Sequence, residues 1–108
     1  MVVSDVPMDG VSLGENQKGL LLDLDDRKVL YSKQALQKVY PASITKIMTA
    51  MLALKYGNMD DVVTITQENL NLEEGSQVCG FWAGDQVTMD QLLHCLLVYS
   101  GNDAAAAI

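Results

Sequence analysis

The stretch "YPASITKIMTA", residues 40–50, constrains this chain more than any other. Pro41 disfavours helix at Tyr40 and lets one begin directly after itself, because the N–H it lacks would go unpaired in a first turn anyway. From Ser43 onward, Ile44, Ile47, Met48, Met51 and Leu52 recur at helical spacing, and Gly57-Asn58 offers a stop. The segment is expected to be a helix with an apolar stripe. It opens with a serine and carries an ammonium, Lys46, one turn in. A charged amine among apolar neighbours needs a reason.

One chemical reason lies in the spacing. Helix positions three apart share a face, with Cβ atoms about 5–6 Å apart, so Lys46 can bend back towards Ser43. Desolvation by Ile47 and Met48 would disfavour the ammonium form. A neutral amine can then take the serine proton and make Ser43 a nucleophile. The N-terminus of a helix also favours negative charge developing there. No histidine is required, and the single His94, on an otherwise apolar helix, is given no catalytic role. The same residues also fit a plainer reading, with Ser43 an N-cap and Lys46 snorkelling to the surface. A second motif, "YSGND", places Ser100 and Asn102 just after an apolar helix, where they can offer a hydroxyl and an amide to a site. Ser-Gly-Asn is equally a good turn.

The rest of the chain gives a frame for these motifs. Its 108 residues suffice for one modest domain, and an apolar content of 49% excludes general disorder. The net charge of −7 makes nucleic acid an unsuitable partner. No apolar run is long enough to cross a bilayer, and "VVSDVPMDG" lacks the pattern of a signal peptide. Cys79 and Cys95 form neither a disulfide framework nor a metal-type pair, and Cys95 within "LLHCLLV" reads as a small buried hydrophobe. Neither metal nor cofactor is expected. Residues 1–17 read as a loose lead-in. A β-hairpin is expected over 18–32, with "DD" at 25–26 in its turn. The region 43–108 is expected to be mainly helical, with a strand near 61–66, turns and short extended pieces after it, and a helix over 89–99. Thr88 and Gln91 form a capping-box pattern for that helix. The closing "SGNDAAAAI" stops inside a strong helix former, as expected of a piece of a longer protein.

Taken together, the two motifs resemble those of serine-type D-alanyl-D-alanine carboxypeptidases, the low-molecular-weight penicillin-binding proteins. "GLLLDLDDRKVLYSKQALQKVYPASITKIMTA" is similar to the family's opening hairpin, connection and nucleophile helix. "VTMDQLLHCLLVYSGNDAAAAI" is similar to its second-motif region. The S-G-N form favours carboxypeptidases, since class A β-lactamases usually carry S-D-N and Gly101 stands here in place of that aspartate.

The resemblance implies an α+β chain, the N-terminal portion of the DD-peptidase/β-lactamase-like fold, with a hairpin of the central sheet and a helical subdomain. It implies Ser43 as the acylated nucleophile and Lys46 as its base. Ser100 would relay a proton to the leaving D-alanine, and Asn102 would position the substrate amide or Lys46. The Ser43 backbone N–H would form half of an oxyanion hole. Implied partners are peptidoglycan stem peptides and β-lactams, and the implied place is outside the cytoplasmic membrane. The family's third motif, K-T-G, has no counterpart in these residues. In the family its strand closes the sheet, binds the substrate carboxylate and supplies the other oxyanion N–H. The 108 residues alone are therefore expected to be inactive, and to associate with the remainder of the parent or with another copy. A class A-like β-lactamase and a non-catalytic binding module on the same scaffold are the alternative functions.

Overall fold

A computed structural model describes residues 4–108. Residues 1–3 of the expected lead-in lie outside the described residues. The chain divides into two compact units, Met1–Tyr40 and Pro41–Ile108.

The first unit is built on an antiparallel hairpin of β1 (Gly19–Asp23) and β2 (Lys28–Lys33). Asp23 makes the turn: its Oδ1 accepts from the backbone N–H groups of Asp25 at 3.0 Å and Asp26 at 3.1 Å. This is the local bonding by which aspartate favours turns. Gly19 sits under close side chains: a Cβ there would meet Leu13 Cδ1 at 2.5 Å and Tyr31 Cε1 at 3.2 Å, so those side chains would have to shift. Leu20, Leu21 and Leu22 remain exposed on β1. The part of the lead-in expected to be loose is tied down. Val6 and Ser32 exchange two backbone hydrogen bonds of 2.8 and 2.9 Å, and Asp5 accepts from the Gln34 N–H at 2.6 Å. These bonds satisfy the outer edge of β2 at Ser32, which a bare hairpin would leave open.

The second unit begins with a 3-10 turn, Ala42–Thr45, followed by α1 (Lys46–Tyr56). Gly57 closes α1, its N–H donating to Ala53 O at 2.8 Å. Two short strands, β3 (Val62–Thr64) and β4 (Gln86–Thr88), pair antiparallel. Helix α2 (Met89–Val98) follows directly, and its capping box is formed: Thr88 Oγ1 accepts from Gln91 N and Gln91 Oε1 accepts from Thr88 N. A short helix, α3 (Asn102–Ala107), ends the chain. Among the described residues no helix is long and apolar enough to cross a membrane.

The core gathers around α2, which contributes Leu92, Leu93 and Leu96. Ala50 and Ala53 of α1, Ala104 of α3 and Ile65 complete it. Here the structure departs from the periodicity. Ile44, Ile47, Met48, Met51 and Leu52, the expected apolar stripe, are all half or more exposed. The face that packs inward is Lys46, Ala50, Ala53, spaced i, i+4, i+7. Alanines let two helices approach closely, whereas Ile and Met there would hold them apart. Lys46 therefore rides on the packed face, half-buried.

Candidate active site

Ser43 lies in the 3-10 turn and is exposed, while Lys46 is the first residue of α1 and part-buried. The turn, rather than a regular helix start, sets their relation. Ala42 carries φ +50°, so the chain kinks between Pro41 and Ser43. Lys46 Nζ donates to Ser43 Oγ at 3.3 Å and to Asn102 Oδ1 at 3.0 Å. Ser100 Oγ donates to Ser43 Oγ at 3.1 Å. All four residues named from the sequence thus converge, although Ser100 stands 57 positions from Ser43.

The expected desolvation of Lys46 by its apolar neighbours is not what surrounds it. Ile47 and Met48 are each 56% exposed. Both point away because the alanine face packs inward. What Lys46 meets instead is polar, a hydroxyl and an amide oxygen, and the amide is presented by a neighbouring helix. His94 stays outside this cluster: its Nδ1 lies 2.8 Å from Asp90 O and 3.5 Å from Asp90 Oδ2, on its own helix. Trp82 is 78% exposed and lies outside the hydrophobic core.

The turn from α2 to α3 is built to hold Ser100 and Asn102. The N–H groups of Tyr99 and Gly101 both donate to Cys95 O, at 3.3 and 3.2 Å. Ser100 adopts φ +60°, a left-handed conformation that costs a non-glycine residue about 1–2 kcal/mol. Gly101 is buried, and a Cβ there would meet Cys79 Sγ at 2.3 Å and Asp103 Oδ1 at 2.8 Å. Gly101→Ala is therefore expected to destabilise the protein by about 1–3 kcal/mol, the usual range for overpacking. Cys79→Ala in the same chain should return part of that loss. Urea unfolding of the single and double variants checks both statements.

Sequence reasoning missed two residues of this site, Gln77 and Asp103. Gln77 O accepts from Asn102 N at 2.8 Å and from Asn102 Nδ2 at 3.1 Å. Asp103 is 1% exposed. Its Oδ1 accepts from Cys79 N and Ala104 N, each at 2.9 Å, and its Oδ2 from Gly80 N at 2.9 Å and Phe81 N at 3.4 Å. Burial pushes this carboxyl up, but the four N–H donors together outweigh burial and hold it below its ordinary value. The Cys79 thiol above it is pushed up to about 12, first by burial and then by Cys95 and Asp103, and stays protonated at neutral pH. The only sequence signal for Asp103 was its place as the last residue of the "YSGND" stretch, where it was given no role.

The lowered Asp103 carboxyl makes stability depend on pH with a definite sign. At acid pH the unfolded chain binds a proton that the folded chain refuses. The contribution is whole above the ordinary aspartate value, about 3.9, and is lost as pH falls from there through the folded value. Asp103→Asn should be less stable at neutral pH, because an amide NH₂ would face buried N–H donors, each costing about 1–3 kcal/mol when left unpaired. It should also lose less stability than wild type between neutral and strongly acid pH. Unfolding midpoints across that range test the slope.

A family model described as D-alanyl-D-alanine carboxypeptidase matches residues 14–108. The chain belongs to the D-alanyl-D-alanine carboxypeptidase family. It is 37% identical over 99 residues to the D-alanyl-D-alanine carboxypeptidase DacF of Bacillus subtilis (strain 168), a match covering 87% of this chain and 25% of that protein. It is also 37% identical over 99 residues to the D-alanyl-D-alanine carboxypeptidase DacC of Escherichia coli (strain K12), over 82% of this chain and 24% of that one. Among solved structures, the D-alanyl-D-alanine carboxypeptidase of Mycobacterium tuberculosis H37Rv superposes with a TM-score of 0.72 at 32% identity, over 94% of this chain and 37% of that one. Penicillin-binding protein 6B of Escherichia coli gives a TM-score of 0.73 at 29% identity, over 96% and 36%. This member of the carboxypeptidase family thus spans about a quarter of the length of the curated relatives it matches. Its α+β architecture is that of the N-terminal portion of the penicillin-binding structures.

Proposed function

We propose that this chain carries the nucleophile half of a serine-type D-alanyl-D-alanine carboxypeptidase acting on peptidoglycan stem peptides through an acyl-enzyme. The observation that carries this reading is Lys46 Nζ lying within hydrogen-bond reach of Ser43 Oγ and Asn102 Oδ1 at once. In its neutral form the lysine amine has one lone pair for the Ser43 proton, while an N–H is held by Asn102. Ser43 Oγ then attacks the carbonyl carbon of the penultimate D-alanine. The Ser43 backbone N–H is one donor to the oxyanion. As the tetrahedral intermediate collapses, the C–N bond breaks and the amine of the terminal D-alanine leaves with a proton. Ser100, whose Oγ is 3.1 Å from Ser43 Oγ, is placed to pass that proton on. Water hydrolyses the ester and restores Ser43. A β-lactam enters by the same attack, its ring amide opening while the leaving nitrogen stays tethered to the acyl group. Gly101 supports the carboxypeptidase reading over a class A β-lactamase, because Cys79 and Asp103 fill the space that a side chain there would need. The site works outside the cytoplasmic membrane, where the stem peptides are.

The experiment is intact-mass spectrometry after incubation with a penicillin, followed by peptide mapping. A mass increase equal to the whole penicillin, on the peptide containing Ser43, is expected. An adduct mapping elsewhere, or none on the intact protein, overturns the reading.

The 108 residues contain no K-T-G sequence, and a missing oxyanion donor lowers rate by roughly 10²–10³. Produced alone, they should acylate far more slowly than the intact protein. Exposed apolar side chains on β1 and α1 should also drive association with the remaining segment or with a second copy. Light scattering, with fluorescent-penicillin labelling in the presence and absence of that segment, measures both. A monomer labelling at the intact rate would refute this expectation.

A further inference from the structure

Lys46 is oriented by Asn102, so what orients Asn102 matters. Its amide could sit either way round, with oxygen or nitrogen towards Lys46. Gln77 O decides between them. That carbonyl accepts from both the backbone N–H and the Nδ2 of Asn102, which turns Oδ1 to Lys46 Nζ at 3.0 Å. A carbonyl cannot accept from an amide oxygen, so the flipped amide would lose the Gln77 bond and present N–H groups to an amine. Asn102 is thus held in one orientation by a backbone atom that no side chain of its own controls.

The segment bearing that carbonyl is in turn held by one buried group. Residues 77–81 have no helix or strand of their own. Three successive N–H groups of this segment, from Cys79, Gly80 and Phe81, donate to the Asp103 carboxylate. Gly80 takes φ +92° to bring its N–H there. A further tie runs from Gln77 Nε2 to Tyr99 O, next to Ser100. Asp103 is the residue after Asn102, so the carboxylate and the amide it serves are fixed to the same turn of backbone at the start of α3.

We propose that Asp103 is a positioning residue for acylation: it fixes the 77–81 segment so that Gln77 O sets the amide of Asn102, which in turn aims Lys46 at Ser43. This rests on the acyl-enzyme reading given above. The role differs from simple anchoring of a loop, because it acts on the rate through one amide and should vanish when that amide is removed.

The test measures acylation of the intact protein by a fluorescent penicillin, resolving the pre-acylation affinity from the acylation rate constant. In Asp103→Asn the rate constant should fall roughly ten- to a hundredfold, the scale of a sub-ångström to ångström misplacement, with affinity nearly unchanged. Combined with Asn102→Ala, it should lower the rate little beyond Asn102→Ala alone, because coupled residues are non-additive. Should Asp103→Asn fail to fold, Gly80→Ala takes its place. A methyl there meets nothing within 4 Å, yet it strains the φ +92° backbone and so shifts the segment with the carboxylate intact. The same slowed rate and the same non-additivity are expected. An unchanged rate in the folded variants, or losses that multiply fully on the Asn102→Ala background, overturns the proposal while leaving the acyl-enzyme reading standing. A wild-type protein that takes no penicillin overturns both.

Discussion

Ser43→Ala should abolish penicillin labelling of the intact protein and leave its folding unchanged. The loss should be complete on the time scale of wild-type labelling, because the variant has no oxygen with which to form an ester. Folding should survive because Ser43 is exposed on a 3-10 turn and belongs to no part of the buried core. Its hydrogen-bond partners, Lys46 Nζ and Ser100 Oγ, lie within reach of solvent and can turn to water. Gel fluorescence with a labelled penicillin gives the activity, and a thermal melt gives the stability. Labelling at the wild-type rate in a folded alanine variant would remove Ser43 from its place as nucleophile, and with it the proposed mechanism.

Lys46→Arg should be nearly as severe, with acylation falling by at least about 10²-fold, the lower range for loss of a general base. The charge is kept, and so in principle is the hydrogen bond to Asn102. What is lost is the ability to take a proton, since a guanidinium stays protonated in proteins. The planar head would also be too wide for a position that now holds one nitrogen between two oxygens at 3.3 and 3.0 Å. Lys46→Ala removes the base without the bulk. If arginine and alanine variants are equally impaired, proton transfer is the function of the side chain. An arginine variant that acylates normally would show that Lys46 acts only as a positive charge. Substrate affinity should change less than the rate constant in both variants, because in the proposed mechanism the residue works on the bond-forming step.

These predictions depend on an arrangement that was only partly legible beforehand. The turn around Asp25-Asp26 and the capping box at Thr88 and Gln91 follow from neighbours in sequence and are present, as is the helix after Pro41, although it starts at Lys46 after a 3-10 turn rather than at Ser43. The pairing of Ser43 with Lys46 belongs to the same class, since three residues of helical or near-helical backbone bring the two together whatever else the chain does. The apolar stripe of α1 shows where such reasoning fails. Periodicity identified an apolar face, but close approach to α2 uses the alanines instead, and the larger side chains lie outward. Pattern records hydrophobicity, whereas packing also selects for size.

What the sequence determined by itself was therefore local: the elements, their caps, the two motifs and the order in which they come. The tertiary structure alone decided that Lys46 lies on the packed face of α1, and that it meets Asn102 across 56 residues. It alone decided that Gln77 and Asp103 belong to the site. Gln77 contributes through its backbone carbonyl, an atom every residue possesses, so no residue type announces it. Asp103 is one of 14 acidic residues, and aspartate is ordinarily exposed. Only the convergence of four N–H groups on its carboxylate compensates for its burial and gives it a place beside the motif. Interactions along the chain are fixed by backbone periodicity, while those between distant segments exist only once the helices have packed.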